Sequence, residues 1–448
     1  MTTARDSNSK PTSFGAVALT VLCVLSFGIG PSARCQDWAK IEADYVATKK
    51  RLIEQGPPPY YLVRSGDKAL VFDSRPEFGI GFHRFDETVA ATLKRANIRF
   101  VRHTMYWYAV ENTTEPGKYD EEALKHWAQL VAQLDKNGLI PVIVVHGNAP
   151  GCSFANRQES YERFAKFMAF VARRYPKVRY WELWNEMDGA FTDLFGAGVK
   201  ENGADVPMRQ RGKYYAEMLK IVSPAIRKAN PDAIILTGGM DNWTEFPTGI
   251  YEGGGKDYFD IMNMHSYGIP LQWAFVLRGA EMRQLMKRHG DAEKPLWNTE
   301  FGLEAGSVVR AWGMPKANED AGAIFDKHQK EMIMDCIEFN SKSGLYQKCL
   351  AYQYLAVHEF MNDEIKAAKL KFPAGMELDD YSAGFVRRDG VTPKPVLQYV
   401  IDSNPNERAG LSKPLQLKVP LRADGPALVT VNSDYPVTIS PSDDKDDK

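Results

Sequence analysis

Two glutamates at the ends of apolar runs are the residues of this 448-residue chain best suited to carry out chemistry. Glu186 follows Asn185 at the end of an aromatic run that starts at Arg179, and Glu300 closes a run that starts at Pro295. A protonated carboxyl group can donate a proton, whereas an ionised one can attack carbon or activate water. The two glutamates are far apart in the chain, so only the fold can bring them together.

A third acid, Glu182, lies earlier in the same run as Glu186. If the run is a β-strand, its side chains alternate between two faces. One predicted face carries Tyr180, Glu182, Trp184 and Glu186, and the other carries Trp181, Leu183 and Asn185. Because Glu182 lies deep in the strand, we predict a structural role for it and place Glu186 at the carboxyl end.

The elements that must position these acids form a strand-then-helix pattern along most of the chain. Helical stretches separate most of the apolar runs, and a Gly-rich span from 238 to 256 separates the fifth from the sixth. The eight runs are 78–82, 98–103, 140–145, 180–184, 234–237, 261–265, 295–299 and 350–354. Eight such alternations predict an α/β fold, a (β/α)8 TIM barrel, with chemistry at the carboxyl ends of its strands. No GxGxxG motif follows the first run, so nothing indicates a dinucleotide cofactor.

The barrel is predicted to occupy residues 78–402. A charged helix and a hairpin precede it in residues 36–77, and short apolar runs in residues 403–448 predict a small β appendage with a charged tail. A last turn and helix of the barrel are expected near 380–385 and 394–400.

Polar residues end several of the predicted strands, where a buried core would not tolerate them unpaired. Glu186 ends the fourth strand and Glu300 the seventh; the others are Arg102, His146, Asn148, Asn185, His265 and Tyr267. A pair of glutamates at a barrel mouth, with aromatic residues nearby, suggests glycoside hydrolysis. One carboxyl protonates the leaving oxygen and the other attacks or activates water, with their separation deciding between retention and inversion.

The motifs Trp184-Asn185-Glu186 and Asn298-Thr299-Glu300-Phe301-Gly302 resemble those of the clan A glycoside hydrolases, most closely relatives in family 39 or family 5. The resemblance covers roughly residues 79–400 and implies a retaining barrel enzyme, with Glu186 as acid/base and Glu300 as nucleophile. It further implies that Asn185 holds the sugar 2-hydroxyl, that Arg102 and Tyr267 position Glu300, and that His265 is the polar end of the sixth strand.

One departure from the clan concerns the end of the eighth strand, where a Trp often lies beneath the sugar. This chain has Tyr352-Gln353-Tyr354 there, followed by His358-Glu359, which leaves the floor of the sugar site open. Cleft-lining candidates, each of which could equally pack in a loop, are His146, Asn148, Trp107, Trp243 and Trp273.

The proposed roles place opposite demands on the two acids. Glu300 must stay ionised, which a guanidinium and a hydroxyl nearby would favour. Glu186 must be protonated in the first step and ionised in the second, which predicts a raised and then a lowered pKa.

The composition narrows the range of partners. The chain has 56 basic and 57 acidic residues and no basic patch, so a nucleic-acid partner is not indicated and a polar, uncharged one is the simplest inference. An oligo- or polysaccharide fits. No Cys/His spacing resembles a metal site, and we expect neither a metal nor a cofactor.

The N-terminus has the pattern of a secretory signal peptide in residues 1–35. Basic residues precede an apolar run at 16–30 and small residues follow it; the alternative is an uncleaved anchor. No later stretch is apolar enough to span a membrane, so an exported protein, periplasmic or secreted, is expected. After removal of residues 1–35, three cysteines would remain, Cys152, Cys336 and Cys349, and at least one of them must be free. Whether Cys336 and Cys349 form a disulfide stays open.

The sequence therefore predicts an exported retaining glycosidase that cleaves β-linked glycans without a cofactor. Two alternatives stay open: a transglycosylase using the same site, and a catalytically silent carbohydrate-binding barrel. The silent barrel is disfavoured because a site without activity need not keep both carboxylates together with Asn185, Arg102 and Tyr267.

Overall fold

The structure is a computed structural model that describes residues 38–65, 68–82, 85, 87–189, 193–267, 271–302, 321–352, 376–378, 385–387, 406, 414–419, 428–433 and 437–441. The predicted signal peptide, the helix expected at 394–400 and residues 353–359 lie outside these ranges, and those predictions stay predictions.

Helices and strands alternate as the sequence predicts. The strands are β1 Tyr60–Ser65, β2 Lys68–Asp73, β3 Glu77–Gly81, β4 Phe100–Tyr106, β5 Ile140–His146, β6 Tyr180–Asn185, β7 Lys200–Glu201, β8 Ala204–Asp205, β9 Ile234–Gly239, β10 Met262–Tyr267, β11 Leu296–Gly302, β12 Lys348–Tyr352, β13 Met376–Leu378, β14 Phe385–Arg387, β15 Leu415–Val419, β16 Leu428–Asn432 and β17 Val437–Pro441. The helices are α1 Trp38–Gln55, α2 Glu87–Arg95, α3 Trp107–Val110, α4 Glu121–Lys136, α5 Arg157–Arg174, α6 Met208–Ala229, α7 Glu245–Glu252, α8 Leu271–Trp273, α9 Gly279–Arg288 and α10 Ala321–Ser343. A π-helical turn, Ala274–Arg278, joins α8 to α9.

Eight parallel strands form the barrel, in the spatial order β10-β11-β12-β3-β4-β5-β6-β9. A bridge between Leu236 and Ile261 joins the two ends of this order, and the Thr237 amide donates to the Ile261 carbonyl at 3.0 Å. The predicted (β/α)8 TIM barrel is confirmed. The Gly-rich span after the fifth barrel strand contains the short helix α7, so it too supplies a crossover.

The barrel strands are buried on both sides. Inside, at the amino ends of the strands, aromatic and aliphatic side chains such as Phe100, Tyr180 and Trp297 form one core. Outside, a larger core lies between the strands and the helices. Strands buried on both faces need nearly continuous apolar sequence, which is the pattern that identified them.

The N-terminal and C-terminal segments meet at the amino end of the barrel. Tyr61, Val63 and Phe72 of the β1-β2 hairpin pack into the inner core. Strand β16 pairs in parallel with β2, so residues from both ends of the chain form one three-stranded sheet. Together they cover the end of the barrel opposite the carboxyl ends of the strands.

The described cysteines are free thiols. Cys336 in α10 and Cys349 in β12 are both buried, and Cys152 is half-buried. Of the two alternatives for Cys336 and Cys349, the structure has the unpaired one. Burial raises the pKa of both buried thiols, so they remain protonated at neutral pH.

Candidate active site

The strand that carries Glu186 loses regular geometry at its carboxyl end. Trp184 has a φ of 76° and Glu186 a φ of 42°, a region that bulky residues seldom adopt. The Trp184 ring packs outward between Phe164 and Phe195, with centroid distances of 5.4 and 5.2 Å. The prediction that Trp184 and Glu186 share a face is therefore wrong, because the positive φ turns the Trp184 side chain toward the helices.

The same distortion brings Asn185 to the inside of the barrel. Asn185 was predicted to face away from Glu182, but both side chains contact Arg102. Strand β6 and the residue after it thus present three inward polar side chains, Glu182, Asn185 and Glu186, and the last two are consecutive rather than alternating.

Arg102, on β4, is the centre of a buried ionic network. It donates to both oxygens of Glu182, at 2.9 Å from Nε and 2.7 Å from Nη2, and Nη2 also donates to Asn185 Oδ1 at 2.7 Å. Its Nη1 donates to Glu300. Burial alone would lower the pKa of Arg102, but the Glu182 and Glu300 carboxylates raise it. Arg102 therefore stays charged although it is only 2% exposed.

Glu300, on β11, is held on two sides as predicted. Arg102 contacts Oε1, and the Tyr267 hydroxyl donates to Oε2 at 2.8 Å. Burial and the neighbouring Glu300 raise the pKa of Tyr267 well above its ordinary value, so the hydroxyl keeps its proton and serves as a donor. Both contacts fix the orientation of the Glu300 carboxylate.

Glu186 faces Glu300 across His265. The Nδ1 atom of His265 lies 3.0 Å from Glu186 Oε1 and 3.7 Å from Glu300 Oε2. One carboxylate oxygen of Glu186 and one of Glu300 lie within 4.8 Å of each other and of the His265 ring nitrogen. The sequence placed these three residues at the ends of separate strands, and the structure brings them together.

The electrostatics of this pair differ from the expectation. Burial raises the pKa of Glu186, but the hydrogen bond and charge of His265, together with Arg102, lower it more. Burial lowers the pKa of His265, but Glu300 and Glu186 raise it more. The structure lowers the pKa of Glu186, so the raised pKa predicted for the first step is not found; the sequence did not show that an imidazole would contact this carboxyl.

Gly239, at the end of β9, makes this arrangement possible. Its amide donates to Glu182 Oε1 at 3.1 Å, and its carbonyl accepts from the Glu186 amide at 2.8 Å. A Cβ atom at this position would lie 1.8 Å from His265 Nε2, so only glycine leaves room for the ring. Sequence reasoning missed Gly239, although a Gly-Gly pair ending a buried strand is a usable signal.

The other predicted site residues are His146, Asn148 and Trp273. His146 ends β5 and packs edge-to-face on Tyr106, with ring centroids 5.0 Å apart. Burial and Arg102 lower the pKa of His146 to about 4, so this side chain is neutral. Asn148 lies two residues beyond β5 and is half-buried. Trp273 contacts Tyr45 of helix α1, with centroids 6.0 Å apart, and its role in binding stays a prediction.

Two further residues fix the turn after Glu186 and were not predicted. Arg211 donates from Nη2 to the carbonyls of Met187, at 3.1 Å, and Gly189, at 2.9 Å. Asp188 is 5% exposed and accepts from the Asn242 amide. Burial raises the pKa of Asp188 to about 7. Nothing in the sequence marks Arg211, which lies on the buried face of helix α6.

The cluster of Glu186, His265 and Glu300 also has the geometry to hold a metal ion, since each offers one ligand atom within 4.8 Å of the others. A cation bound there would occupy the carboxylates that acid–base chemistry needs. The expectation that the chain has no metal site stays a prediction.

Comparisons with known proteins identify the family and agree with the fold. The model of the family Cellulase (glycosyl hydrolase family 5) matches residues 77–341. A family 39 glycoside hydrolase from Bacteroides cellulosilyticus WH2 superposes with a TM-score of 0.50 at 20% identity, over 73% of this chain and 63% of that one. The exo-β-1,4-mannosidase Op5Man5 from Opitutaceae bacterium strain TAV5 gives 0.46 at 16% identity, over 77% and 62%. A glucosidase from Croceicoccus marinus gives 0.48 at 15% identity, over 73% and 68%.

The chain thus spans less than two thirds of the length of the first two of these structures. At such identities the structural likeness shows the fold alone. No curated protein sequence matches the chain. In the part of the chain that the structure describes, no helix combines the length and the hydropathy needed to cross a membrane.

The family model covers more than half of the chain and includes both motif strands, so the predicted clan is confirmed and the choice between two families is resolved. The chain belongs to glycosyl hydrolase family 5.

Proposed function

We propose that the chain is a retaining glycosidase that cleaves β-glycosidic bonds of an oligo- or polysaccharide by double displacement. The observation that carries the proposal is the separation of the two acids, whose nearest carboxylate oxygens lie within 4.8 Å. Retaining enzymes hold their carboxyl groups roughly 5–5.5 Å apart, while inverting enzymes leave about 6.5–9.5 Å for a water. The distance supports retention.

In the first step, the Glu300 carboxylate attacks the anomeric carbon and the bond to the leaving oxygen breaks. Arg102 and Tyr267 hold both Glu300 oxygens, so the attacking carboxylate is oriented before the sugar binds. Glu186 gives its proton to the leaving oxygen. The products are an ester of the sugar with Glu300 and the shortened glycan.

His265 supplies the protonation state that Glu186 needs. The pKa of His265 is raised and that of Glu186 is lowered, so the shared proton resides on the imidazole. The nitrogen that carries this proton, His265 Nδ1, lies 3.0 Å from Glu186 Oε1, which is hydrogen-bond distance. Transfer of this proton leaves a neutral imidazole and a protonated Glu186, the form that can act as acid.

In the second step, Glu186 takes a proton from water, whose oxygen attacks the anomeric carbon while the bond to Glu300 breaks. The ester removes the negative charge of Glu300 from the site, which favours an ionised Glu186 and its use as base. Asn185 accepts from Arg102 through Oδ1, which leaves its NH2 group as a donor for a sugar hydroxyl. The proposed reaction uses no cofactor.

The stereochemistry of the product tests the proposal. NMR of fresh hydrolysis product from an aryl β-glycoside should show the β-anomer first; the α-anomer would refute retention. The variant Glu300→Gln should lose at least about a thousandfold in kcat while it keeps glycan affinity by calorimetry. Glu122→Gln, at an exposed position of helix α4, is the matched control and should behave as wild type. Unchanged turnover in Glu300→Gln would remove this residue from its role.

We also propose that the protein is exported after removal of residues 1–35, on the basis of the N-terminal sequence pattern alone. N-terminal sequencing of protein recovered outside the cytoplasm should begin near Gln36. A start at Met1 would favour the uncleaved anchor.

A further inference from the structure

Tyr108 is an aromatic side chain that the proposed reaction leaves without a role. It is 47% exposed, and it and Val46 are the large hydrophobic side chains that stand out as exposed among the described residues. It belongs to the short helix α3, which directly follows the strand that carries Arg102. Single exposed apolar residues are common on protein surfaces, so exposure by itself decides nothing.

The ring of Tyr108 is held in a fixed position although it faces solvent. It packs on the Tyr106 ring, with centroids 5.3 Å apart and planes inclined by 30°. On Gly147 a Cβ atom would lie 2.7 Å from the Tyr108 ring, so the ring rests directly on the glycine backbone. Gly147 has a φ of +87°, a conformation that disfavours any larger residue there.

The supports of Tyr108 belong to the catalytic end of the barrel. Tyr106 and His146 are the last residues of neighbouring strands, paired in register, and their rings are in contact. Burial raises the pKa of Tyr106, and the charges of Arg102 and Glu300 act on it as well. The rings of His146, Tyr106 and Tyr108 therefore lie in contact in this order at the carboxyl end of the barrel, and Tyr108 is the exposed one.

We propose that Tyr108 is a stacking platform for a sugar ring of the glycan beyond the sugar that reacts. Pyranose rings present an apolar face of C–H groups, and a fixed aromatic ring can cover that face with little loss of side-chain entropy on binding. This platform makes Tyr108 a determinant of chain-length preference.

The inference rests on the proposed glycosidase function, and it is tested on the same substrates. The variants are Tyr108→Ala, which removes the platform, and Tyr108→Phe, which keeps it. Val46→Ala removes the other exposed large hydrophobic side chain, which lies on helix α1, and serves as the matched control. For each protein, kcat/KM is measured on an oligosaccharide series, from the shortest substrate that wild type cleaves to chains of about six sugars, and the melting temperature is recorded.

We expect Tyr108→Ala to lower kcat/KM on the long chains roughly tenfold through KM, the size of effect that one lost aromatic contact gives. The shortest substrate should be affected less than about twofold, and Tyr108→Phe and Val46→Ala should follow wild type throughout. An equal loss of kcat/KM on all chain lengths would refute the platform and show that Tyr108 only packs on Gly147. If wild type is active and Tyr108→Ala loses no kcat/KM on any chain length, the platform is refuted and the glycosidase proposal stands. If wild type is inactive on all the substrates, the glycosidase proposal and the platform are both refuted.

Discussion

Glu182 offers the sharpest test of the division between structural and catalytic acids in this barrel. Its carboxylate is fully buried and is surrounded by three donors: Nε and Nη2 of Arg102 and the amide of Gly239. In Glu182→Gln the new NH2 group would face donors only, and Arg102 would lose its bidentate partner. The variant is nearly isosteric, so no cavity contributes to the change.

The expected cost follows from these contacts. Removing one partner of a buried ion pair costs about 3–5 kcal/mol. Because Arg102 keeps Glu300 and Asn185, we place Glu182→Gln at the lower end, near 3 kcal/mol, a large share of the roughly 5–15 kcal/mol that stabilises a typical domain. The urea midpoint should fall accordingly, while turnover of the protein that stays folded should fall less than about tenfold.

Glu300→Gln should show the opposite pattern. The substitution removes one charge from a site with an excess of carboxylates. The free energy of unfolding of this variant should therefore stay within about 1 kcal/mol of wild type while turnover is lost. Urea denaturation followed by fluorescence, with kcat measured on the same samples, separates the two outcomes. If Glu182→Gln lost turnover a thousandfold at unchanged stability, the assignment of Glu182 to structure would be refuted.

Three further predictions concern groups around the same acids. Glu186→Gln should lower the pKa of His265, since the hydrogen bond and charge of Glu186 help raise it; histidine NMR titration measures this, and an unchanged His265 pKa would contradict the pairing. Asp188 has a folded pKa of about 7 against an ordinary value of 3.8, so wild-type stability should fall as pH rises from about 4 through 7. Asp188→Asn should abolish that fall and be more stable than wild type at pH 8 by about 3–4 kcal/mol, as denaturation at both pH values will show. Gly239→Ala should displace His265 and reduce kcat roughly a hundredfold or more, and an alanine variant with normal activity would show that the ring has another place to lie.

The parts of the site that depend on periodicity could be predicted from the sequence. Each barrel strand is a short apolar run, and its last residue follows from the point where polar residues begin. Glu186, Glu300, Arg102 and Tyr267 were found in this way, and the structure places them together. Their roles in catalysis remain part of the proposal.

The features that were missed depend on contacts between elements. The outward turn of Trp184 needs a positive φ that no residue type in the run signals, and rings from a helix and a loop hold it. The low pKa of Glu186 depends on His265, which lies on another strand. Arg211 holds the turn after Glu186 from the buried face of helix α6, and the sequence pattern of that face is typical of an ordinary core. Sequence periodicity describes one element at a time, so these contacts stay hidden until the elements are assembled.

The sheet that joins β2 to β16 has a consequence for how the chain folds as it is made. Strand β2 precedes the barrel strands in the sequence, whereas its partner, Leu428–Asn432, follows them. Until that partner has been synthesised, one edge of β2 lacks its neighbouring strand, and such edges pair readily with other chains. Completion of this sheet must therefore wait until Leu428–Asn432 has been synthesised, after all the barrel strands.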